Sequence, residues 1–453
     1  MIEHLDNALR EWMPHQRWYA DKGREMTSLS IEVVATLPGA DMTVEIGVVS
    51  IRFTDGTDAR YQVPIALRSE FPPTLEHAVI GAHAREDGVR MTAYDALHDT
   101  EATARLYALL ASGADVDRVR FGGKVSGDPL AGRLMGVEQS NSSVVYGDEY
   151  ILKVFRKLAP GINPDLEVGR ALAAVGCEVI AAPLAWFELT EGAEPVTLGV
   201  LQPFYRGGTD GWQLAITSVR DLLADPGNHA DEAGGDFAPE SERLGEMTAV
   251  LHRDLRTALG TEESAADDGR RTADQMLGRL SEATLVAPAL LEYDAAIRAV
   301  FEFFAAAKSS GRLQRIHGDY HLGQVLRSHA GWVALDFEGE PAKTLAERRT
   351  PMSPLRDVAA MLRSFDYASR HHLVAQANPS EEVVERAHEW AERNRSAFCD
   401  GYARVLGLDP RDSGPLLAAY ELDKAVYEVV YETRNRPTWT AIPLSSIARL
   451  VAA

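Results

Sequence analysis

The segment His317-Gly318-Asp319-Tyr320-His321-Leu322-Gly323-Gln324 places two histidines, an aspartate and a glutamine within one short stretch. A brief apolar run, Trp332-Val333-Ala334-Leu335, then leads to Asp336, with Glu338 two residues on. Ionisable groups at the ends of buried strands are costly unless they are paired or used. Taken singly, each carboxylate reads as an ion-pair or helix-capping group. Taken in order, an acid, an amide five residues later and a second acid at the end of the next strand suit one chemistry. Phosphoryl transfer from a nucleotide needs a carboxylate to orient a hydroxyl and accept its proton. It also needs oxygen ligands for Mg²⁺ and a cation to position the phosphates.

The spacing resembles the kinase order H-R-D-x-x-x-x-N followed by D-F-G. Gln324 stands in place of Asn, and Asp336-Phe337-Glu338 in place of D-F-G. Asp319 is therefore the candidate base, and Gln324, Asp336 and Glu338 are candidate metal ligands. Residues two apart on a strand point the same way, so a strand running on through Glu338 would aim both acids at one site. His317 and His321 read as structural groups under the catalytic turn.

A nucleotide site also needs a lysine on a strand, braced by an acid on the following helix. Lys153 lies within the apolar run Tyr150–Phe155, Asn163 and Pro164 can start a helix, and Glu167 falls in its first turn. Lys153 and Glu167 form the expected pair. No glycine-rich phosphate loop precedes them. A polar turn at Ser140, Asn141, Ser142 and Ser143 offers hydroxyl and amide donors instead, and chain order puts a hinge for adenine near Gln202 and Phe204.

Near the C-terminus, Tyr420 to Trp439 reads as a helix with Leu422, Ala425, Val426, Val429, Val430 and Thr433 on one arc. Tyr420, Lys424, Tyr427 and Tyr431 lie opposite, and Glu421, Glu428 and Glu432 line the flank. Rings beside carboxylates suit a sugar, the rings stacking on C–H faces and the charges binding hydroxyls. Tyr420, Glu421, Asp423, Tyr427, Glu428, Arg436 and Trp439 are the candidate acceptor residues. The same face would equally seat the N-terminal unit. Ser353 is an expected N-cap for the helix beginning there, with Arg356 and Asp357 pinning the loop beneath the site.

These residues need a scaffold, and the pattern supplies one. Residues 28–37, 43–53 and 59–67 alternate as strands, with Asp55-Gly56 as a hairpin turn. A helix over 5–13 precedes them, and another follows over 99–113. Three strands occupy 132–158, and beyond Gln213 the periodicity is mostly helical. The expected division is a cap over 1–90, an intermediate segment over 91–130, a smaller β-rich lobe over 131–205 and a helical lobe over 206–453. The fold class is α+β.

The totals narrow the function. With 46 basic and 67 acidic residues the formal charge is −21, which argues against a nucleic-acid partner, since that needs basic surface. No apolar run reaches the roughly 18 residues a bilayer requires, so no membrane association is expected. The N-terminal segment is polar and amphipathic rather than a signal peptide. Two distant cysteines, Cys177 and Cys399, give neither metal spacing nor a disulfide framework. A cytoplasmic protein, monomeric or homodimeric, is expected.

The stretches from His317 to Ala368, "QRWYADKGR" near the start and "LDKAVYEVVYETRNRPTWTAIPL" near the end resemble the actinobacterial maltokinases. The resemblance spans nearly the whole chain. It implies a bilobal protein-kinase-like, aminoglycoside-phosphotransferase-like fold with an N-terminal α+β cap. It implies ATP and Mg²⁺ as cofactors, Asp319 as base, and Gln324 and Asp336 as metal ligands. The sequence is also similar to the glucosamine-phosphorylating group of that family. Tyr320, Tyr19-Ala20-Asp21, Thr438 and Thr440 depart from the maltokinase pattern. An acidic flank at Glu421, Asp423 and Glu428 suits an ammonium-bearing sugar. The expected activity is phosphorylation of a small sugar, glucosamine to its 6-phosphate, with maltose to maltose 1-phosphate as the alternative. A nucleotide-binding pseudokinase scaffold and an antibiotic phosphotransferase are the more distant readings.

Overall fold

The computed structural model describes residues 5–452 apart from 38, 40, 85–87, 127–129, 137–139, 226, 233–235, 307–310, 341–342, 375 and 377–378. The chain divides into two units, Met1–Arg170 with Ala181–Arg206, and Ala171–Ile180 with Gly207–Ala453.

The first unit opens with α1 (Asp6–Trp12) and a meander of β1 (Met26–Leu37), β2 (Met42–Phe53) and β3 (Asp58–Arg68). Gly56 turns the β2–β3 hairpin at φ +81°, a left-handed conformation in which a β-carbon is penalised. Two further strands, β4 (Val79–Ala84) and β5 (Arg90–Asp95), complete the order β1-β2-β3-β5-β4. Both lie beyond the loop at which the alternating pattern stops, and at six residues each they are short, which leaves little alternation to read.

After α2 (Thr100–Ser112) come β6 (Val119–Gly123), β7 (Gly132–Leu134), β8 (Asn141–Tyr146), β9 (Tyr150–Phe155) and the two-residue β10 (Lys157–Leu158). The unit continues into α3 (Pro164–Ala174) and closes with β11 (Ala185–Leu189) and β12 (Val196–Pro203). The second sheet runs β6-β11-β12-β9-β8-β7, while β10 pairs with β3 of the first. One apolar core runs from Val34 and Tyr94 through Leu106 and Tyr107 to Val154 and Leu198. The boundaries expected near residues 90 and 130 both fall within that core. Arg156 crosses it fully buried, donating to Asp95 Oδ2 at 2.6 Å and Ser142 Oγ at 2.8 Å.

The polar turn expected at Ser140–Ser143 is instead largely strand. Asn141, Ser142 and Ser143 belong to β8, paired with Phe155, Val154 and Lys153 of β9 and buried. Their side chains favour turns in isolation, but the β9 ladder engages this stretch as a strand. Ser140 remains exposed at a bend.

The second unit starts with β13 (Thr209–Asp210) and α4 (Gly211–Ala224). It continues through α5 (Ala238–Leu259), β14 (Thr261–Glu263), α6 (Asp268–Val286), α7 (Asp294–Ala306) and β15 (Arg312–Gln314). The hairpin β16 (Val325–Ser328) and β17 (Gly331–Ala334) leads to α8 (Leu345–Arg349), α9 (Leu355–Arg370), α10 (Glu381–Leu406), α11 (Gly414–Asn435) and α12 (Ala441–Ala452). The helices α5 and α10 pass with their backbones in contact. A β-carbon at Gly401 would lie 1.9 Å from the Glu242 carbonyl oxygen, and one at Gly245 would lie 2.0 Å from that of Phe398. Among the described residues no helix is long and apolar enough to cross a membrane. Cys177 and Cys399 are buried and unbridged.

Candidate active site

The loop between β15 and β16 carries Asp319, and its shape is set by a buried acid beneath it. Asp357, in the first turn of α9, accepts from the backbone N–H of His317 at 2.8 Å and of Gly318 at 2.9 Å. Its second neighbour is His252, with Nε2 at 3.2 Å. Burial works to raise the Asp357 carboxyl, but the His252 contact and these donors outweigh it and hold the group below the usual carboxylate range. His317 donates from Nε2 to the Leu335 carbonyl at 2.8 Å and is packed between Tyr320 and Phe337. It ties the catalytic loop to the segment after β17, the structural part expected of it.

The second acid is delivered differently from the expectation. Strand β17 ends at Ala334, and Asp336 adopts φ +62°, a region costly for a residue with a β-carbon. Alternation along a strand therefore does not align Asp336 with Glu338; a turn does. Their carboxylate oxygens still lie within 4.8 Å of one another. Gln324, at the end of a single 3₁₀ turn, donates its side-chain amide to Asp336 Oδ2 at 3.2 Å. Its backbone carbonyl accepts from Leu335. Two carboxylates and an amide carbonyl form an all-oxygen donor set suited to a hard cation such as Mg²⁺.

In the first unit, Lys153 projects from β9 with its Nζ 3.2 Å from Asp165 Oδ2 on α3, a contact with little solvent access. Asp165 lies two residues before the expected Glu167, in the same first turn of α3. The Asn163 side chain caps that turn by accepting from the Asp165 N–H at 2.8 Å. Ser143 is the cross-strand partner of Lys153, so Ser143 and, two residues away, Asn141 share its face. Ser142 faces the other way, to Arg156, and is removed from the phosphate-binding expectation. The Phe204 N–H donates to the Glu149 carbonyl at 2.7 Å, and the Gln202 side chain to that of Ala181 at 2.9 Å. Those contacts engage the Phe204 N–H and the Gln202 side chain; the hinge expected there concerns the backbone groups near both residues.

Helix α11 supplies the wall of a cavity of about 300 Å³ in the second unit. Trp212, Tyr367, Tyr431 and Trp439 are its aromatic lining, and Lys424, Glu428, Glu432 and Arg436 its charges. His321 and Ser364 complete the polar edge. Glu432 is spent on Arg436 and Tyr367. Glu428 gives Oε2 to Arg363, at 2.6 and 3.0 Å, while its Oε1 has no hydrogen-bond partner among the described residues. Burial lifts the Glu428 carboxyl above its usual value, and the Arg363 and Lys424 charges only partly offset that. His321 accepts at Nδ1 from the Gly323 N–H, leaving its proton on Nε2, and burial keeps the ring below the usual histidine value.

Of the expected acceptor residues, Glu428, Arg436 and Trp439 line this cavity. Glu421 does not: it is buried against Arg395 of α10, at 2.9 and 3.1 Å. Tyr420 packs edge-on against Phe304 and also borders a smaller cavity of about 90 Å³. Asp423 takes a bidentate contact from Arg279 and, with Tyr427, lines the same cavity. A helical wheel assigns faces but cannot tell which neighbouring helix brings the arginines that claim an acid. Lys424, Tyr431 and Glu432 were legible as members of the polar face; Trp212, Tyr367, Arg363 and Asp165 were not singled out, because their parts depend on neighbours distant in sequence.

With this geometry in place, comparisons with known proteins give the class. Residues 130–406 match the phosphotransferase enzyme family, and residues 12–99 match the maltokinase N-terminal cap domain. The chain belongs to the phosphotransferase enzyme family and carries a maltokinase-type cap. Two curated relatives are glucosamine kinases. The one from Streptacidiphilus jiangxiensis is 28% identical, over 70% of this chain and 72% of that protein. The one from Mycolicibacterium smegmatis is 27% identical, over 70% and 79%. A solved glucosamine kinase in complex with glucosamine, ADP and inorganic phosphate has the same fold, with TM-score 0.70 and 23% identity over 99% of this chain and 100% of that one. A second crystal form gives TM-score 0.72 and 24% identity over 98% and 99%.

Proposed function

We propose that this protein is an ATP-dependent glucosamine kinase that forms glucosamine 6-phosphate. The observation that carries the acceptor is Glu428, a largely covered carboxylate on the wall of a ring-lined cavity of about 300 Å³, whose Oε1 has no hydrogen-bond partner among the described residues. A sugar ammonium supplies the cation that this oxygen lacks, and Tyr367, Tyr431 and Trp439 supply faces for the ring. The names of the two curated relatives point the same way.

In this reading Asp319 orients the acceptor hydroxyl and takes its proton. The new bond forms from that oxygen to the γ-phosphorus, the bond to the β-phosphate oxygen breaks, and ADP leaves. Asp336, Glu338 and Gln324 would hold Mg²⁺, whose charge would offset that of the phosphates. Lys153, braced by Asp165, positions the phosphates, with Ser143 and Asn141 as neighbouring donors. Two unbridged buried cysteines fit a reducing cytoplasm. The cap match supports maltose as the second reading, but maltose has no cation to offer Glu428.

Glu428→Gln tests the acceptor. A lost charge-assisted hydrogen bond is worth about 1.5–3 kcal/mol, so KM for glucosamine rises about 10- to 100-fold in a coupled ADP-release assay while the weaker activity on glucose changes little. Equal losses on both sugars contradict an ammonium at Glu428.

A further inference from the structure

Lys424 lies one helical turn before Glu428 on α11 and borders two cavities of the second unit. Its Nζ is 3.7 Å from Asp319 Oδ1 and 3.9 Å from Glu340 Oε1. The side chain is mostly covered, at 22% exposure. Its ammonium also sits 5.1 Å from the Tyr427 ring centroid. Burial alone would pull a lysine down, but Asp319, Glu340 and Glu428 more than offset it and hold the group above the usual lysine value.

The other charges nearby are already committed. Arg279 and Arg356 both meet Asp423. Asp357 is held by His252 and the loop N–H groups. His321 is kept below the usual histidine value by burial. The cavity wall therefore presents an ammonium beside the base and, about 6 Å further along the helix, a carboxylate oxygen with no partner among the described residues.

We propose that Lys424 is a positioning residue for the transfer: it fixes the Asp319 carboxylate at the reactive end and orients an amino-sugar acceptor with its ammonium toward Glu428. Like charges repel the sugar ammonium from the Asp319 end. The hydroxyl that reaches Asp319 is then one across the ring from the amine, not the anomeric hydroxyl beside it. The orienting half of this inference rests on the amino-sugar reading above; the hold on Asp319 does not.

Lys424→Met and Lys424→Arg in the full chain separate the possibilities. In Lys424→Met kcat falls at least tenfold, while KM for ATP stays within about twofold. Phosphorus NMR of the product shows the 6-phosphate contaminated by a second regioisomer. Lys424→Arg restores kcat and the single product. A near-normal kcat in Lys424→Met overturns the proposal. So does a Lys424→Arg protein that is folded by its melting curve yet no better than Met. If the wild type ignores glucosamine, the amino-sugar reading and the orienting half both fall. The kcat of the Met and Arg variants, measured on whichever sugar is taken, still decides the hold on Asp319.

Discussion

Asp319, the proposed base, sits in a loop whose backbone is held by hydrogen bonds on two sides. The carboxylate of Asp357 takes two successive N–H groups of the loop, and His317 bridges that loop to Leu335. The geometry at Asp319 is thus set by groups that do not touch a substrate. Asp319→Asn keeps the size and removes the proton acceptor. Turnover with any sugar is expected to fall by at least about 10², while nucleotide affinity by calorimetry changes less than about threefold. Retained turnover removes Asp319 from its role. These residues were legible in the sequence because they sit in one contiguous motif whose spacing survives folding. Lys153 was legible for a related reason, a lysine in an apolar strand. Its partner Asp165 was not, because Asp165 and Glu167 both lie in the first turn of α3 and spacing cannot choose between them.

At the level of elements, α9 is the organising helix of the second unit. Asp357 near its start supports the catalytic loop, and Ser364 accepts from the Leu322 N–H. Asp366, two residues further, binds Arg363 at 2.8 Å and Arg449 of α12 at 2.7 Å, with Ser446 at 3.2 Å. Burial would raise the Asp366 carboxyl, but Arg395, Arg363 and Arg449 outweigh it and hold the group below its usual value. A depressed folded-state value means that its contribution is fully present above the unfolded value near 3.9 and is lost as pH falls below it. Denaturant unfolding is expected to show stability falling below about pH 4. Asp366→Asn is expected to lower stability at pH 7 by about 3–5 kcal/mol and to flatten that acid loss. An unchanged acid slope contradicts the assignment. The periodicity of α11 was legible, and so was the placing of Glu428 and Trp439 on a cavity wall, but Glu421 lies away from it. Its place depends on Arg395, which comes from a different helix.

At the level of the molecule, the α+β class and the cap were legible from alternation in β1–β3, a turn at Gly56 and the late switch to helical period. The strands β4 and β5, and the single core joining the cap sheet to the second sheet, were not. That core depends on long-range packing around Leu106, Tyr107 and the buried Arg156, which no local pattern announces. The acceptor remains the claim most worth testing, since one fold can serve many hydroxyls. The direct measurement is NMR of the products after incubating the protein with ATP and Mg²⁺ and, separately, glucosamine, glucose and maltose. Glucosamine is expected to be consumed fastest and to give glucosamine 6-phosphate as a single product. Maltose 1-phosphate formed in preference, or no sugar phosphate from any of the three, contradicts it.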